Sequence, residues 1–161
     1  MPFIKLATFI HAKPQIVFDL SRSIDLHQTS MGHTNEKAIG GITTGLINEG
    51  ETVIWTAKHF FKTRMLKVQI TQMKPYEFFE DEMLEGDFKS MKHKHIFRAE
   101  GSGTKMIDEF SFEAPYGFIG KFFNYIFLTA YMKALLMQRN CVIKEFAETE
   151  KRKTVLPQTH I

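Results

Sequence analysis

Two histidines at a spacing of two, His93 and His95, stand in the run KHKHIF, and acidic residues fall in the neighbouring runs at Asp81 and Asp108. On an extended chain that spacing puts both imidazoles on one face, where a carboxylate can orient them. An imidazole so oriented can act as a general acid or base, with His95 or His93 working with Asp108. The same polar groups on an apolar wall can fix the polar end of a ligand. Two imidazoles on one strand can also share a metal, with Asp81 or Asp108 supplying a third ligand. No third ligand stands at a diagnostic spacing, so neither a metal nor another cofactor is expected. A structural role competes with all of these. An unpaired buried imidazole or carboxylate costs several kcal/mol, and the aspartates would then serve to hold the histidines and the turns in place.

Strand parity decides which residues face inward. In Lys105 to Glu113, Met106, Asp108, Phe110 and Phe112 share the apolar face. In Met91 to Ala99, His93, His95 and Phe97 share a face opposite Lys92, Lys94 and Arg98. In Glu77 to Leu84, Phe79, Asp81 and Met83 lie together, leaving Glu80 and Glu82 for a solvated convex face. In Glu51 to Phe61, Val53, Trp55, Ala57 and His59 lie together. The inward set is therefore apolar but carries six polar-tipped groups: Trp55, His59, Asp81, His93, His95 and Asp108.

Other chemistries find no support. The chain has no GxSxG, no phosphate-binding P-loop and no GxGxxG opening a helix after a strand. The glycines of GSGTK serve a hairpin turn. Cys141 sits late in a helical stretch without a histidine partner and reads as a small buried hydrophobe. As the single cysteine it excludes an intrachain disulfide and every multi-cysteine metal scheme, which fits a reducing compartment. The start, MPFIKLATFIHAKP, has too short an apolar stretch for a signal peptide, so a cytoplasmic location is expected. The 21 basic and 18 acidic residues are scattered, which argues against a nucleic-acid face.

These residues need elements to position them. Phe3 to His11 alternates as a strand, and Pro14 to Met31 reads as one or two short helices, with Ser23 and Asp25 as cap residues. A glycine-rich stretch follows with a short strand around Ile42 to Ile47. Four or five closely spaced strands then predict an antiparallel sheet. The final element, Phe118 to about Thr149, reads as one long helix. Its first half, FIGKFFNYIFLTAYMKALLM, is apolar on almost every side. Lys121, Asn124 and Lys133 stand inside it and argue against a bilayer span, so burial of most of the circumference against a curved sheet is expected. Its second half, Arg139 to Glu148, has an ordinary amphipathic pattern. With 161 residues and 43% hydrophobic content the chain makes one domain over 1–150, and 151–161 reads as a flexible tail. Sixteen phenylalanines and nine methionines describe a large, soft interior.

The order of elements, together with VIWTAKHF, KPYEFFEDEMLEGDF, KHKHIF, GSGTKMIDEF and APYGFIGKF, resembles the helix-grip superfamily of START domains, polyketide cyclases and birch-pollen allergens (SRPBCC). It resembles in particular a bacterial cyclase/dehydrase-like or cell-division-like subfamily without an assigned reaction. The resemblance runs from Phe3 to about Glu148. It implies an α+β fold, a curved antiparallel sheet wrapped around a long C-terminal helix, with two short helices after the first strand. It also implies a cavity for an apolar small molecule such as a lipid, fatty acid, isoprenoid or polyketide-like ring. The residues expected to line that cavity are Trp55, His59, Phe79, Asp81, His93, His95, Phe97, Asp108 and Phe110 from the sheet. Phe118, Phe122, Tyr125, Ile126, Thr129 and Met132, near three-to-four spacing, would form a roof from the helix, and Pro115, Gly117 and Gly120 would let the chain approach the sheet before it. Binding, rather than catalysis, is the expected function. The alternatives are a cyclase/dehydratase using the His/Asp group, with catalytic candidates His95, His93 and Asp108, or a closed-cavity module that meets a protein or a membrane surface.

Overall fold

The computed structural model describes residues 1–114 and 121–156, with the side chains of 121–125 left aside. Seven antiparallel strands form one sheet in the order β1-β7-β6-β5-β4-β3-β2. They are β1 (Phe3–Ile10), β2 (Lys37–Gly41), β3 (Thr52–His59), β4 (Lys62–Lys74), β5 (Phe78–Glu85), β6 (Ser90–Glu100) and β7 (Gly103–Glu113). Two short helices, α1 (Pro14–Ser21) and α2 (Ile24–Ser30), carry the chain from one sheet edge to the other, and α3 (Lys121–Glu148) packs against α1, α2 and β1. This is the helix-grip α+β architecture that the element order implied.

Local chemistry explains the boundaries. Pro14 opens α1, where its missing N–H costs nothing. Ser23 caps α2 by accepting from the Leu26 amide at 3.2 Å, and Asp25 instead accepts from the Gly45 amide at 2.8 Å. The β6–β7 turn uses Gly101 at φ +57°, and a Cβ on Gly103 would lie 2.3 Å from the Ile10 carbonyl oxygen, so that glycine lets β7 close onto β1. Phe18 of α1 anchors the helices to the sheet through edge contacts with Phe79 and Phe97 at 5.7 and 5.3 Å.

Five expectations give way. The short second strand is Lys37–Gly41, not Ile42 to Ile47, which contributes only an isolated bridge from Leu46 to Ser23. Gly41 ends the strand at φ +69°, where a Cβ would lie 2.1 Å from the Thr52 carbonyl oxygen. Glu80 is 3% exposed rather than solvated, because Lys92 folds over it with an ion pair of 2.7 Å. Cys141 is exposed, on the outer side of α3. The apolar half of α3 is not buried around most of its circumference. Leu135 and Leu136 are buried, yet Ile126, Phe127 and Met137 stay more than half exposed, since a single sheet layer can cover only one stripe of a helix. The stretch after Glu148 does not fray at once: Glu150–Thr154 forms a 3₁₀ turn and Leu156 is buried. Among the described residues no helix is long and apolar enough to cross a membrane. The expectations for Pro115, Gly117 and Gly120, and for residues 157–161, lie outside the described residues.

Candidate functional site

Three neighbouring strands bring the polar residues together. The β5–β6 register sets Phe79 opposite His95 and Asp81 opposite His93. The β6–β7 register sets His93 opposite Phe110 and His95 opposite Asp108. Directly opposed residues share a face, so all of them point to the concave side under α3.

Asp108 is fully buried and forms the hub. Its Oδ1 lies 3.0 Å from His93 Nε2 and 3.5 Å from Arg139 Nη1, and its Oδ2 accepts from Asn140 Nδ2 at 2.6 Å. His95 Nδ1 lies 2.9 Å from the same Oδ1, in ionic contact but off the line of a hydrogen bond. His95 Nε2 meets Asp81 Oδ2 at 3.2 Å, so its ring stands between two carboxylates. Arg139 also donates to the Ser21 carbonyl at 3.0 Å, which ties the end of α1 to the same cluster. Stacking fixes the rings further. Phe79 lies parallel to His95 with centroids 4.2 Å apart, and His93 and His95 stand 3.8 Å apart.

The electrostatics follow from burial and neighbours. Burial alone would raise the Asp108 pKa, but the hydrogen bond from His93 and the close His95 ring together outweigh it and hold the carboxyl well below its usual range. Asp81 is lowered too: burial would raise it, but its bond to His95 together with the nearby His93 and Arg139 overcomes that. Burial and then the neighbouring His95 push His93 down to about 4, against the pull of Asp108, so it is neutral at pH 7. Burial lowers Arg139 too, and Asp108 offsets part of the effect.

Below α3 the concave face does not close. A cavity of about 580 Å³ lies between sheet and helices. Trp55, Phe79, Asp81, His93, His95 and Phe110 line it from the sheet, with His59 near its mouth. Phe97 and Asp108 are buried behind this lining rather than in it. Phe97 packs between Phe79 and Phe18, and Asp108 sits beneath the two histidines. From α3 the lining residues are Leu128, Met132, Leu135, Leu136 and Arg139, with Phe127 and Tyr131 at the mouth. Of the expected roof, Met132 lines the cavity, whereas Ile126 is exposed and Thr129 half-buried and neither lines it; Phe118 and the side chains of Phe122 and Tyr125 lie outside the described residues.

At the mouth His59 Nδ1 and the Tyr131 hydroxyl are 2.8 Å apart, and burial lowers the His59 pKa. The Phe60 ring stands 4.8 Å from Tyr131 and 5.6 Å from Phe127. Arg64 and Asp87 close one side with an ion pair of 2.9 Å.

Sequence reasoning does not find Arg139, Asn140 or Tyr131. A signal for the first two is nevertheless there: Met132, Leu135/Leu136, Arg139/Asn140, Ile143 and Ala147 form one helical stripe at three-to-four spacing. A cation and an amide on that stripe must meet a buried acceptor, and Asp108 is that acceptor.

No family model and no curated protein matches the chain. Solved structures do. The aromatase/cyclase ZhuI from Streptomyces superposes with a TM-score of 0.75 at 10% identity, over 95% of this chain and 97% of that one. TTHA0849 from Thermus thermophilus gives 0.69 at 15% identity, over 88% and 97%. The major latex-like protein 151 from Panax ginseng gives 0.63 at 14% identity, over 97% and 98%. These likenesses establish the fold, and the resemblance read from the sequence holds at that level.

Proposed function

We propose, from a chain that folds as a helix-grip protein of the START and birch-pollen-allergen type, that it binds an apolar small molecule in the cavity between the sheet and α3. The ligand class is a lipid, fatty acid, isoprenoid or polyketide-like ring. One observation carries this reading: about 580 Å³ of space whose walls are apolar and whose inner end presents His93, His95, Asp81 and Arg139. Apolar walls supply affinity through area removed from water, and a few fixed polar groups set orientation. Hydrogen bonds and stacking already hold those polar groups, so a ligand meets them with little further ordering.

Burial weighs against His93 as a general base. A general base works best with a pKa near the operating pH, and His93 at about 4 is far too weak at neutrality. The likeness to a protein described as an aromatase/cyclase keeps a cyclase/dehydratase as the second reading. That reading requires His95→Ala to abolish turnover without unfolding the chain. A cytoplasmic location and the absence of a nucleic-acid partner belong to the proposal as well.

Native mass spectrometry of freshly purified protein, followed by denaturing extraction, tests it. The expected result is one apolar adduct per chain, or, for chain isolated empty, saturable one-to-one binding of a fluorescent fatty-acid analogue. A clean empty mass together with no saturable binding of that analogue overturns the proposal.

A further inference from the structure

We propose that Asp81, His93 and His95 form a site for a divalent transition-metal ion, of the zinc or cobalt kind, at the inner end of the cavity. One donor atom from each of the three lies within 4.8 Å of the others. The His95 Nε2 to Asp81 Oδ2 separation is 3.2 Å, close to the roughly 3.4 Å between two donors on a common tetrahedral ion with bonds of about 2.1 Å.

The surroundings have the form of a ligand's support. Asp108 stands against one nitrogen of each imidazole, His93 Nε2 at 3.0 Å and His95 Nδ1 at 2.9 Å. A carboxylate behind a ligating histidine fixes its tautomer and strengthens it as a donor. That arrangement leaves the other nitrogen of His93, on a side chain that lines the cavity, to serve as its donor. It leaves His95 Nε2 directed at Asp81. Asp108 itself is bound by Asn140 and Arg139 from α3, so the support is rigid.

Charge points the same way. Two carboxylates, Asp81 and Asp108, face one guanidinium, Arg139, which leaves one net negative charge in a buried cluster when the imidazoles are neutral. A dication bound by two neutral nitrogens and one carboxylate relieves that excess. Nitrogen donors select zinc, cobalt or ferrous iron over calcium and magnesium, which take oxygen. Three protein donors opening onto a cavity leave a coordination position for an outside group, unlike a closed structural site. This site stands apart from the apolar-ligand reading, because the cavity walls can take an apolar molecule whether or not an ion sits at the inner end.

The test is titration of the full chain, stripped with chelator and dialysed, with Zn²⁺ by calorimetry and with Co²⁺ by visible absorption. One equivalent should bind with a Kd of about micromolar or tighter, and Co²⁺ should show the intense bands of a four- or five-coordinate ion. Asp81→Asn and His93→Gln should each weaken binding by about tenfold or more. His11→Ala, on the far surface, should leave it unchanged. A measurement on the wild-type chain covers the case where the variants fail to fold: bound Co²⁺ should broaden the ring resonances of His93 and His95 ahead of His11. No saturable binding by the folded wild-type chain, or broadening that spares His93 and His95, overturns the proposal. Fluorescent fatty-acid binding in the same samples reports the cavity separately.

Discussion

The two ends of the cavity are built on opposite principles. At the inner end the polar groups converge on one buried carboxylate. Asp108 alone meets His93, His95, Arg139 and Asn140, drawn from β6 and α3, and none of these residues is more than slightly exposed. At the mouth the ring contacts of Phe60, Phe127 and Tyr131 among the described residues are with one another and with His59, and Phe60 and Phe127 are about half exposed. The β3–β4 turn there puts Phe60 at φ +51° and Phe61 at φ +63°, a conformation that asparagine and glycine adopt readily and phenylalanine does not. Strain of that kind persists where surrounding structure or function maintains it. The contrast is that of a rigid polar anchor and a soft aromatic gate, and each can be struck without the other.

The largest effect belongs to the anchor. Asp108→Ala removes the carboxylate that two histidines, an arginine and an asparagine meet, and leaves the buried Arg139 guanidinium without its ion-pair partner. Breaking a buried ion pair in this way costs about 3–5 kcal/mol. The urea midpoint of Asp108→Ala should fall accordingly, with the m-value unchanged. A variant of wild-type stability would show that the cluster is not what holds β6, β7 and α3 together.

Acid should reach the same anchor without mutation. The folded-state pKa of His93 is pushed from 6.5 down to about 4, so between these values the unfolded chain binds the proton that the folded chain refuses. Stability therefore falls as pH drops from about 6.5 towards 4. Asp108 and Asp81 have folded-state values below 3.8, so their contribution is present above that pH and is lost as the pH falls further. Both effects carry the same sign. Unfolding free energies measured from pH 7 to pH 3 should decline throughout, and His93→Gln should flatten the upper part of the curve. A flat profile from pH 7 to pH 4 would contradict a neutral, buried His93.

Strand parity makes the anchor legible in the sequence. Alternation in three strands places His93, His95, Asp81 and Asp108 on one face, because the two-residue period of a strand admits only two answers and the apolar partners choose between them. The helix is less legible. Its first half is apolar all round, so periodicity cannot say which stripe faces the sheet, and the sequence places Met132 on the wall correctly but adds Ile126 and Thr129 in place of Leu128 and Tyr131. Cys141 reads as buried because an unpaired cysteine behaves as a small hydrophobe, although the Arg139/Asn140 and Ile143 stripe points the other way. The mouth is not legible at all. Nothing in the local sequence asks for a left-handed turn at Phe60 and Phe61, and the aromatic gate exists only because that turn meets α3. Glu80 is misplaced because parity reports the face and not what a neighbour such as Lys92 lays over it.

The gate should respond in kinetics more than in stability. Phe127→Ala removes a ring that is 56% exposed, so little buried area is lost and the unfolding free energy should change by less than about 1 kcal/mol. The same change widens the opening beside Phe60 and Tyr131. Stopped-flow release of a fluorescent fatty-acid analogue should then be faster, by about twofold to tenfold for the loss of one weakly packed aromatic contact. A drop in stability as large as that of Asp108→Ala would erase the distinction between the two ends.

The smallest effect separates packing from hydrogen bonding within the gate. Tyr131→Phe keeps the ring against Phe60 and deletes only the hydroxyl that meets His59 Nδ1 at 2.8 Å. A partly exposed hydrogen bond is worth about 0.5–1.5 kcal/mol, and water can replace it at His59, so the stability change should lie at or below the lower end of that range. The pKa of His59 is set first by burial, which lowers it, and the phenol is not among the groups that shift it. Its titration, followed by the ring resonances in NMR, should therefore keep its depressed position in Tyr131→Phe. If His59 instead returns to about 6.5, water has entered where the hydroxyl stood, and the hydrogen bond rather than the ring is what keeps the mouth shut.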